Sequence, residues 1–218
     1  MDSETFRAWN KEAPELDANM RTLVAISTLA SANRPSTIAS IAQTHLKQLG
    51  NVSEQVFFVH QTRESILKMT SIMGTPKAIN ALSSFMSVIK PDDAVAHELS
   101  TATYPRSSTT PDYAETRARG QELFASIYGR HASRVEGMLH SLYPDLAEVI
   151  IADSYGRLLS ETCYLNGRDT ELCAIGSLVP QDVPAQLKSH CIGATRLGAS
   201  EEMVQGALRL AKFVFAKK

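Results

Sequence analysis

Apolar residues recur at three- and four-residue intervals along most of this chain, and the period-two alternation of a half-buried strand is sustained nowhere. After Leu16-Asp17, the positions Met20, Leu23, Val24, Ile26, Ser27 and Leu29 mark one helix. Pro35-Ser36 opens a second through Ile38, Ile41, Ala42 and Leu46, ending at Gly50. A third follows Ser53-Glu54 and carries Val56, Phe57, Val59, His60, Ile66, Leu67 and Met69. Gly74-Thr75-Pro76 breaks it, with proline early in a helix bearing Ile79, Leu82, Phe85, Met86 and Ile89. Helices resume over Tyr113 to Tyr128. Ser133 reads as an N-cap with Glu136 three residues on. A run from Leu146 to Leu159 is apolar on one face, and the last three helices are expected near 168–179, 183–197 and 200–215. The expected fold is all-α, a helical bundle.

The pattern divides the chain into residues 1–90, a connector over 91–112, and 113–218, which together are expected to form one compact unit. The connector opens with Pro91-Asp92-Asp93, and Thr101 to Asp112 is rich in Thr, Ser and Pro, as in an exposed linker or a lid. An internal repeat links the halves. Leu16-Asp17-Ala18-Asn19-Met20-Arg21-Thr22-Leu23 parallels Leu165-Asn166-Gly167-Arg168-Asp169-Thr170-Glu171-Leu172, and Leu49-Gly50 with Ser53-Glu54 parallels Leu197-Gly198 with Ser200-Glu201 after a one-residue offset. Thr22 then matches Glu171, and Ile41 or Ala42 matches His190. Any chemistry belongs to the C-terminal half.

Glu171 and His190 are the leading candidates. On the helix after Val183, the stripe 183, 187, 190, 194, 197 reads Val, Leu, His, Ala, Leu, so His190 faces the apolar side. An imidazole there is more often a satisfied core residue than a catalyst. Glu171 changes the reading, because it sits in the first turn of its own helix beside Leu172 and Ile175, where a lone charge needs a partner. The pair could shuttle protons without metal or cofactor, or it could be structural. Tyr155, Arg157 and Lys188 are the substrate-binding candidates, with Arg168 nearby, since an anionic substrate needs a cation. Cys191 could be a redox or nucleophilic thiol, but free cysteine is commonly a small core residue.

Composition removes several functions. Among 218 residues, 22 basic and 23 acidic side chains leave a net charge of −1, which gives no support for nucleic-acid or membrane-surface binding. The apolar runs are too short to span a bilayer. Cys163, Cys173 and Cys191 are odd in number and form no Cys-x-x-Cys, which points to a reducing compartment. The first residues, Met-Asp-Ser-Glu-Thr-Phe, lack a secretory or transit pattern, and the final Ala-Lys-Lys only distantly echoes a peroxisomal tripeptide. The cytosol is the default location, with peroxisome and mitochondrion left open. No metal is expected. Glu136…His140 and His60…Glu64 read as surface pairs, and His45, His97 and His131 stand in unrelated contexts.

The motifs Tyr155-Gly156-Arg157, Arg168-Asp169-Thr170-Glu171-Leu172, Pro184-Ala185-Gln186-Leu187-Lys188-Ser189-His190-Cys191 and Leu197-Gly198-Ala199-Ser200-Glu201-Glu202 resemble the carboxymuconolactone decarboxylase-like family. Residues 113–212 carry the resemblance, and 14–90 look like a degenerate second copy. It implies an all-α fold of two such helical repeats, homo-oligomers and, in one branch, cofactor-free decarboxylation. In the other branch, similar to alkyl hydroperoxide reductase D, a Cys-x-x-Cys lies between Glu and His. Val183 and Gln186 hold those positions here, so that thiol chemistry cannot be a direct copy. Two functions are carried forward. The first is a cofactor-independent lyase or isomerase acting on a small carboxylate or lactone through His190 and Glu171. The second is a non-catalytic helical scaffold, with thiol redox at Cys191 a weaker third.

Overall fold

A computed structural model describes residues 3–91, 93–107, 110 and 112–217, and all regular structure among them is helical. In chain order the helices are α1 (Ser3–Glu12), α2 (Ala18–Ser31), α3 (Pro35–Leu46), α4 (Val52–Lys68), α5 (Thr70–Met73), α6 (Thr75–Met86) and α7 (Ala94–Ser100). There follow α8 (Tyr113–Tyr128), α9 (Ala132–Leu142), α10 (Pro144–Glu148), a π-helical segment (Val149–Leu159), α11 (Gly167–Leu178), α12 (Pro184–Arg196) and α13 (Glu201–Ala216). Short 3₁₀ turns, Gly129–His131 and Val179–Gln181, join α8 to α9 and follow α11.

The core is built around α2 and α11, which pack against each other and against α13. Both are small-residue, apolar helices buried on every side over Thr22–Ser31 and Thr170–Leu178. Their polar groups turn to each other: Ser31 Oγ donates to the Ser177 carbonyl at 2.6 Å. One continuous apolar cluster takes Trp9, Leu23, Ile66 and Phe85 from the first half and Ile127, Leu172, Leu210 and Val214 from the second.

Backbone devices recur at a constant interval. Asp17 and Asn166 cap α2 and α11 through their side chains, 166 − 17 = 149 residues apart. Asn33 and Asp182 both adopt φ 53°, and 182 − 33 = 149. Pro35 and Pro184 open α3 and α12, and 184 − 35 = 149. Asn51 and Ser200 cap α4 and α13, and 200 − 51 = 149. The capping residue of α4 is therefore Asn51 rather than Ser53, and the offset inferred from Ser53-Glu54 disappears. On this spacing Ile41, not Ala42, matches His190 (190 − 149 = 41).

Several local expectations change. α1 does not show in the helix pattern; Trp9, at 3% exposure, is its deep anchor among the described side chains. Residues 91–112 include α7, held by buried Val95 and Leu99, although Asp92, Ser108, Thr109 and Pro111 lie outside the described residues. Within the described part of the connector, Arg106 is tied to the rest of the protein. Arg106 Nη1 and Nη2 donate to the Glu64 carboxylate at 3.0 and 2.6 Å, and Nε donates to the Arg157 carbonyl at 2.8 Å. Glu64 is thus buried and paired with the half-buried Arg106, and the buried His60 stacks on Tyr164 at 4.3 Å, so His60 and Glu64 are not a surface pair. Ser133 is not an N-cap, because α9 starts one residue earlier out of the 3₁₀ turn.

Candidate functional site

Glu171 is the fifth residue of α11 and opens its second turn, one residue deeper than a start near Arg168 implies, because Asn166 is the cap. His190 lies midway along α12. The two helices pack together, and His190 Nδ1 meets Glu171 Oε2 at 2.8 Å. Both residues are buried, Glu171 at 1% and His190 at 6% exposure. Gly193, one turn beyond His190, makes the approach possible: a Cβ there would stand 2.9 Å from Glu171 Oε2 and 2.7 Å from Ile127 Cγ2.

Burial alone would push the His190 pKa down, but the charge and hydrogen bond of Glu171 outweigh it and hold the imidazole above its usual range. Nδ1 is committed to the carboxylate. Nε2 makes no hydrogen bond among the described residues, and the His190 side chain lines a cavity of about 400 Å³.

That cavity is largely apolar. Phe124 and Tyr128 come from α8, and Val135, Met138 and Leu139 from α9. The π-helical segment supplies Ile150, Ser154, Tyr155 and Leu159. The wider turn re-aims side chains at a place where two backbones nearly touch: a Cβ on Gly120 would stand 2.0 Å from the Ile151 carbonyl, and one on Gly156 2.1 Å from that of Thr116. Tyr155 donates toward the Tyr128 hydroxyl at 3.5 Å. Burial first, then Tyr128 and Glu171, raise the Tyr155 pKa well above the usual phenol value, and burial raises that of Tyr128. Both phenols are therefore neutral hydrogen-bond donors at physiological pH.

The structure sorts the other candidates. Tyr155 joins His190 in the cavity. Lys188 is exposed and lines an adjoining cavity instead, together with Arg134, Arg196 and Ser189. Arg157 is exposed, lines neither cavity, and offers its carbonyl to Arg106. Arg168 pairs with Asp169 at 2.8 Å. Cys191 is half-buried outside both cavities, and burial, followed by Glu201 and Glu171, pushes its thiol up to about 11. That leaves little thiolate. Among the described residues no group of three or more His, Cys, Asp or Glu could hold a metal ion. Among the described residues no helix is long and apolar enough to cross a membrane.

Gln186, Tyr128 and Ser154 were missed as lining residues. Gln186 was within reach of sequence reasoning, since it sits one turn before His190 on the same helix face. Tyr128 and Ser154 reach the cavity only through tertiary packing and the π turn.

His45 occupies a comparable setting in the first half. Its Nε2 meets Asn19 Oδ1 at 2.6 Å and its Nδ1 meets Thr22 Oγ1 at 3.3 Å. Thr22 is the counterpart of Glu171 (171 − 22 = 149). Phe6 and Phe58 pack on the ring, at 6.0 and 4.5 Å between centroids. Burial lowers its pKa to about 4. This imidazole is neutral and filled in by α1, whereas Glu171 raises the His190 pKa and the His190 ring borders a cavity.

No family model matches the chain. It is 29% identical over 191 residues to "Peroxisomal protein 2" of Schizosaccharomyces pombe, covering 87% of this chain and 82% of that one. It is 33% identical over 182 residues to "Peroxisomal protein 2" of Saccharomyces cerevisiae, covering 74% of this chain. It spans 64% of the length of that second relative.

Proposed function

We propose that this protein is a cofactor-independent lyase or isomerase of the carboxymuconolactone decarboxylase-like type, moving a proton to or from carbon on a small organic acid or lactone. The observation that supports this reading is the one-sided bonding of His190. Nδ1 is fixed on Glu171 at 2.8 Å while the ring borders a cavity of about 400 Å³. Glu171 holds the Nδ1–H of the neutral ring, so that Nε2 accepts a proton from substrate carbon, and Glu171 stabilises the imidazolium that results; in a decarboxylation the ring starts as the imidazolium and gives its Nε2 proton to the carbon that carbon dioxide leaves. Tyr155 and Tyr128 are donors suited to a carbonyl oxygen that gains negative charge. No Lys or Arg lines this cavity, which favours a neutral carbonyl, lactone or ester as the reacting group beside His190.

The internal recurrence at 149 residues agrees with two helical repeats of that type, of which only the second carries the acid–imidazole pair. Homo-oligomerisation belongs to the same reading, because α9 and its continuation expose Met138, Leu142, Tyr143, Leu146 and Val149. The names of the two fungal relatives support a peroxisomal location.

The test is a panel of small lactones and oxo acids in deuterated water, followed by NMR for deuterium exchange at carbon and for carbon dioxide release. His190→Gln is expected to lose about 10²–10⁴ of the rate. Equal rates in wild type and variant would remove His190 from the chemistry. The scaffold reading rests on how completely the pair satisfies itself, and it predicts that His190→Leu with Glu171→Leu keeps both fold and cellular role.

A further inference from the structure

The cavity at His190 has a neighbour of opposite character. The second cavity, about 590 Å³, is lined by Arg134, Lys188, Arg196 and His131, with no Asp or Glu among its lining residues. Tyr128, Val135 and Met138 line both cavities, so the two share one wall and form a single trough. Lys188 and His190 are two residues apart on α12, so they point to different sides of the helix and into different halves of the trough. Arg196 is positioned from behind: Nη1 donates to the Ile127 carbonyl at 2.5 Å, and its guanidinium lies where a Cβ on Gly129 would stand. Arg134 and Lys188 make no ion pair with any described carboxylate. Cations without counter-charges, set beside an apolar chamber that holds none, suit an amphiphile.

We infer that the trough binds a two-part ligand whose anionic head, a carboxylate or phosphate, sits on Lys188, Arg134 and Arg196 while its apolar body extends past Tyr128 into the His190 cavity. The inference rests on the placing of the reacting group at His190 proposed above, and it gives the substrate class. The charge on the substrate is remote from the reacting carbon and serves binding, not chemistry. A head held by Arg and Lys with a body shielded from water divides affinity between charge-assisted hydrogen bonds and apolar burial.

Titration calorimetry on the full chain tests this with octanoate, octyl phosphate, octanol and inorganic phosphate, each below its micellar range. At least one octyl anion is expected to bind about tenfold or more tighter than both octanol and inorganic phosphate, with affinity falling as salt rises. Which octyl anion binds tighter separates a carboxylate from a phosphate head. Lys188→Glu with Arg134→Glu is expected to abolish the anion preference, and the milder Lys188→Ala with Arg134→Ala to reduce it, both keeping the wild-type circular dichroism. Octanol binding as tightly as the anions, inorganic phosphate binding as tightly as octyl phosphate, no octyl anion binding at all, or a preference that survives both double variants each overturns the inference. Calorimetry reads binding and not turnover. A lost anion preference therefore leaves the His190 chemistry standing, and a retained preference with full activity in His190→Gln overturns the chemistry alone.

Discussion

The carboxylate of Glu171 fills the space that a side chain at Gly193 would need. A Cβ there would meet Oε2 at 2.9 Å and Ile127 Cγ2 at 2.7 Å, and both neighbours are buried and unable to swing aside freely. Gly193→Ala is therefore expected to cost about 1–3 kcal/mol of stability, despite alanine being the better helix former. It is also expected to push Glu171 off His190. Urea unfolding measures the first effect. An NMR titration of His190 measures the second, and an unchanged imidazole pKa would show that the carboxylate has room to spare.

Glu171→Gln isolates the electrostatics of the pair. In the wild type burial lowers the His190 pKa, and Glu171 more than reverses it. With a neutral amide only the burial effect remains, so the pKa is expected to fall below its ordinary value of 6.5. The linkage sign follows. A folded-state pKa above the unfolded one contributes stability fully present below pH 6.5 and lost as pH rises through the folded value. Unfolding experiments between pH 5 and 9 are expected to show this decline in wild type and not in Glu171→Gln; parallel curves would argue against the ion pair.

His45 carries the opposite sign. Its folded pKa is lowered to about 4 from 6.5, so its contribution is present above pH 6.5 and lost as pH falls toward 4. Allowing for partial screening, the loss is about 2 kcal/mol over that window. His45→Gln keeps a donor for Asn19 but cannot charge, and it is expected to flatten the acid limb of the stability curve. An identical acid limb would place the titration elsewhere, and His190, with its opposite slope, serves as the internal contrast.

The helix pattern was legible because α2, α3, α4, α6, α8, α11, α12 and α13 each show an apolar face, a cap or a proline start that acts locally. Glu171 and His190 were legible for a related reason. Each is a polar residue on a face that burial should make apolar, and such residues seek each other. What escaped depends on distant chain. The Tyr155–Tyr128 arrangement needs the π turn, which requires two glycine-to-backbone contacts between α8 and the π-helical segment. Arg157 was a candidate because an anionic substrate needs a cation, but it lies two residues from the buried Tyr155, on the exposed side, and lines neither cavity. Lys68, fully buried in α4, gave no signal because lysine reads as surface in any helical pattern.

The exposed apolar residues of α9 and its continuation lead to a statement about assembly. Met138, Leu142, Tyr143 and Leu146 are 52%, 68%, 58% and 40% exposed, dense for an uncovered surface. Light scattering is expected to find an oligomer of the full chain. Leu142→Asp with Leu146→Asp is expected to weaken association about tenfold or more, with secondary structure intact. A monomeric wild type at micromolar concentration would assign this face to something other than self-association.

Lys68 links the core to the site. Its ammonium donates to the Glu161 carbonyl at 2.5 Å, the Leu165 carbonyl at 3.1 Å and Thr170 Oγ1 at 2.8 Å. Thr170 immediately precedes Glu171, so α4 fixes the turn of α11 that presents the carboxylate. Burial lowers the Lys68 pKa to about 8, with the Glu64 carboxylate 3.9 Å away opposing the shift. Lys68→Met keeps the stem and removes the donors, leaving three oxygens unsatisfied in the interior. The expected loss is about 2–4 kcal/mol, read as a lower urea midpoint at unchanged slope. Activity on any identified substrate is expected to fall as well, because Glu171 then loses its fixed position against His190. Arg106 still neutralises Glu64 in the variant, so the loss reports on the loop before α11 rather than on an orphaned carboxylate. A variant as stable as wild type would mean that water replaces the ammonium and that packing on α2, α12 and α13 holds α11 without it.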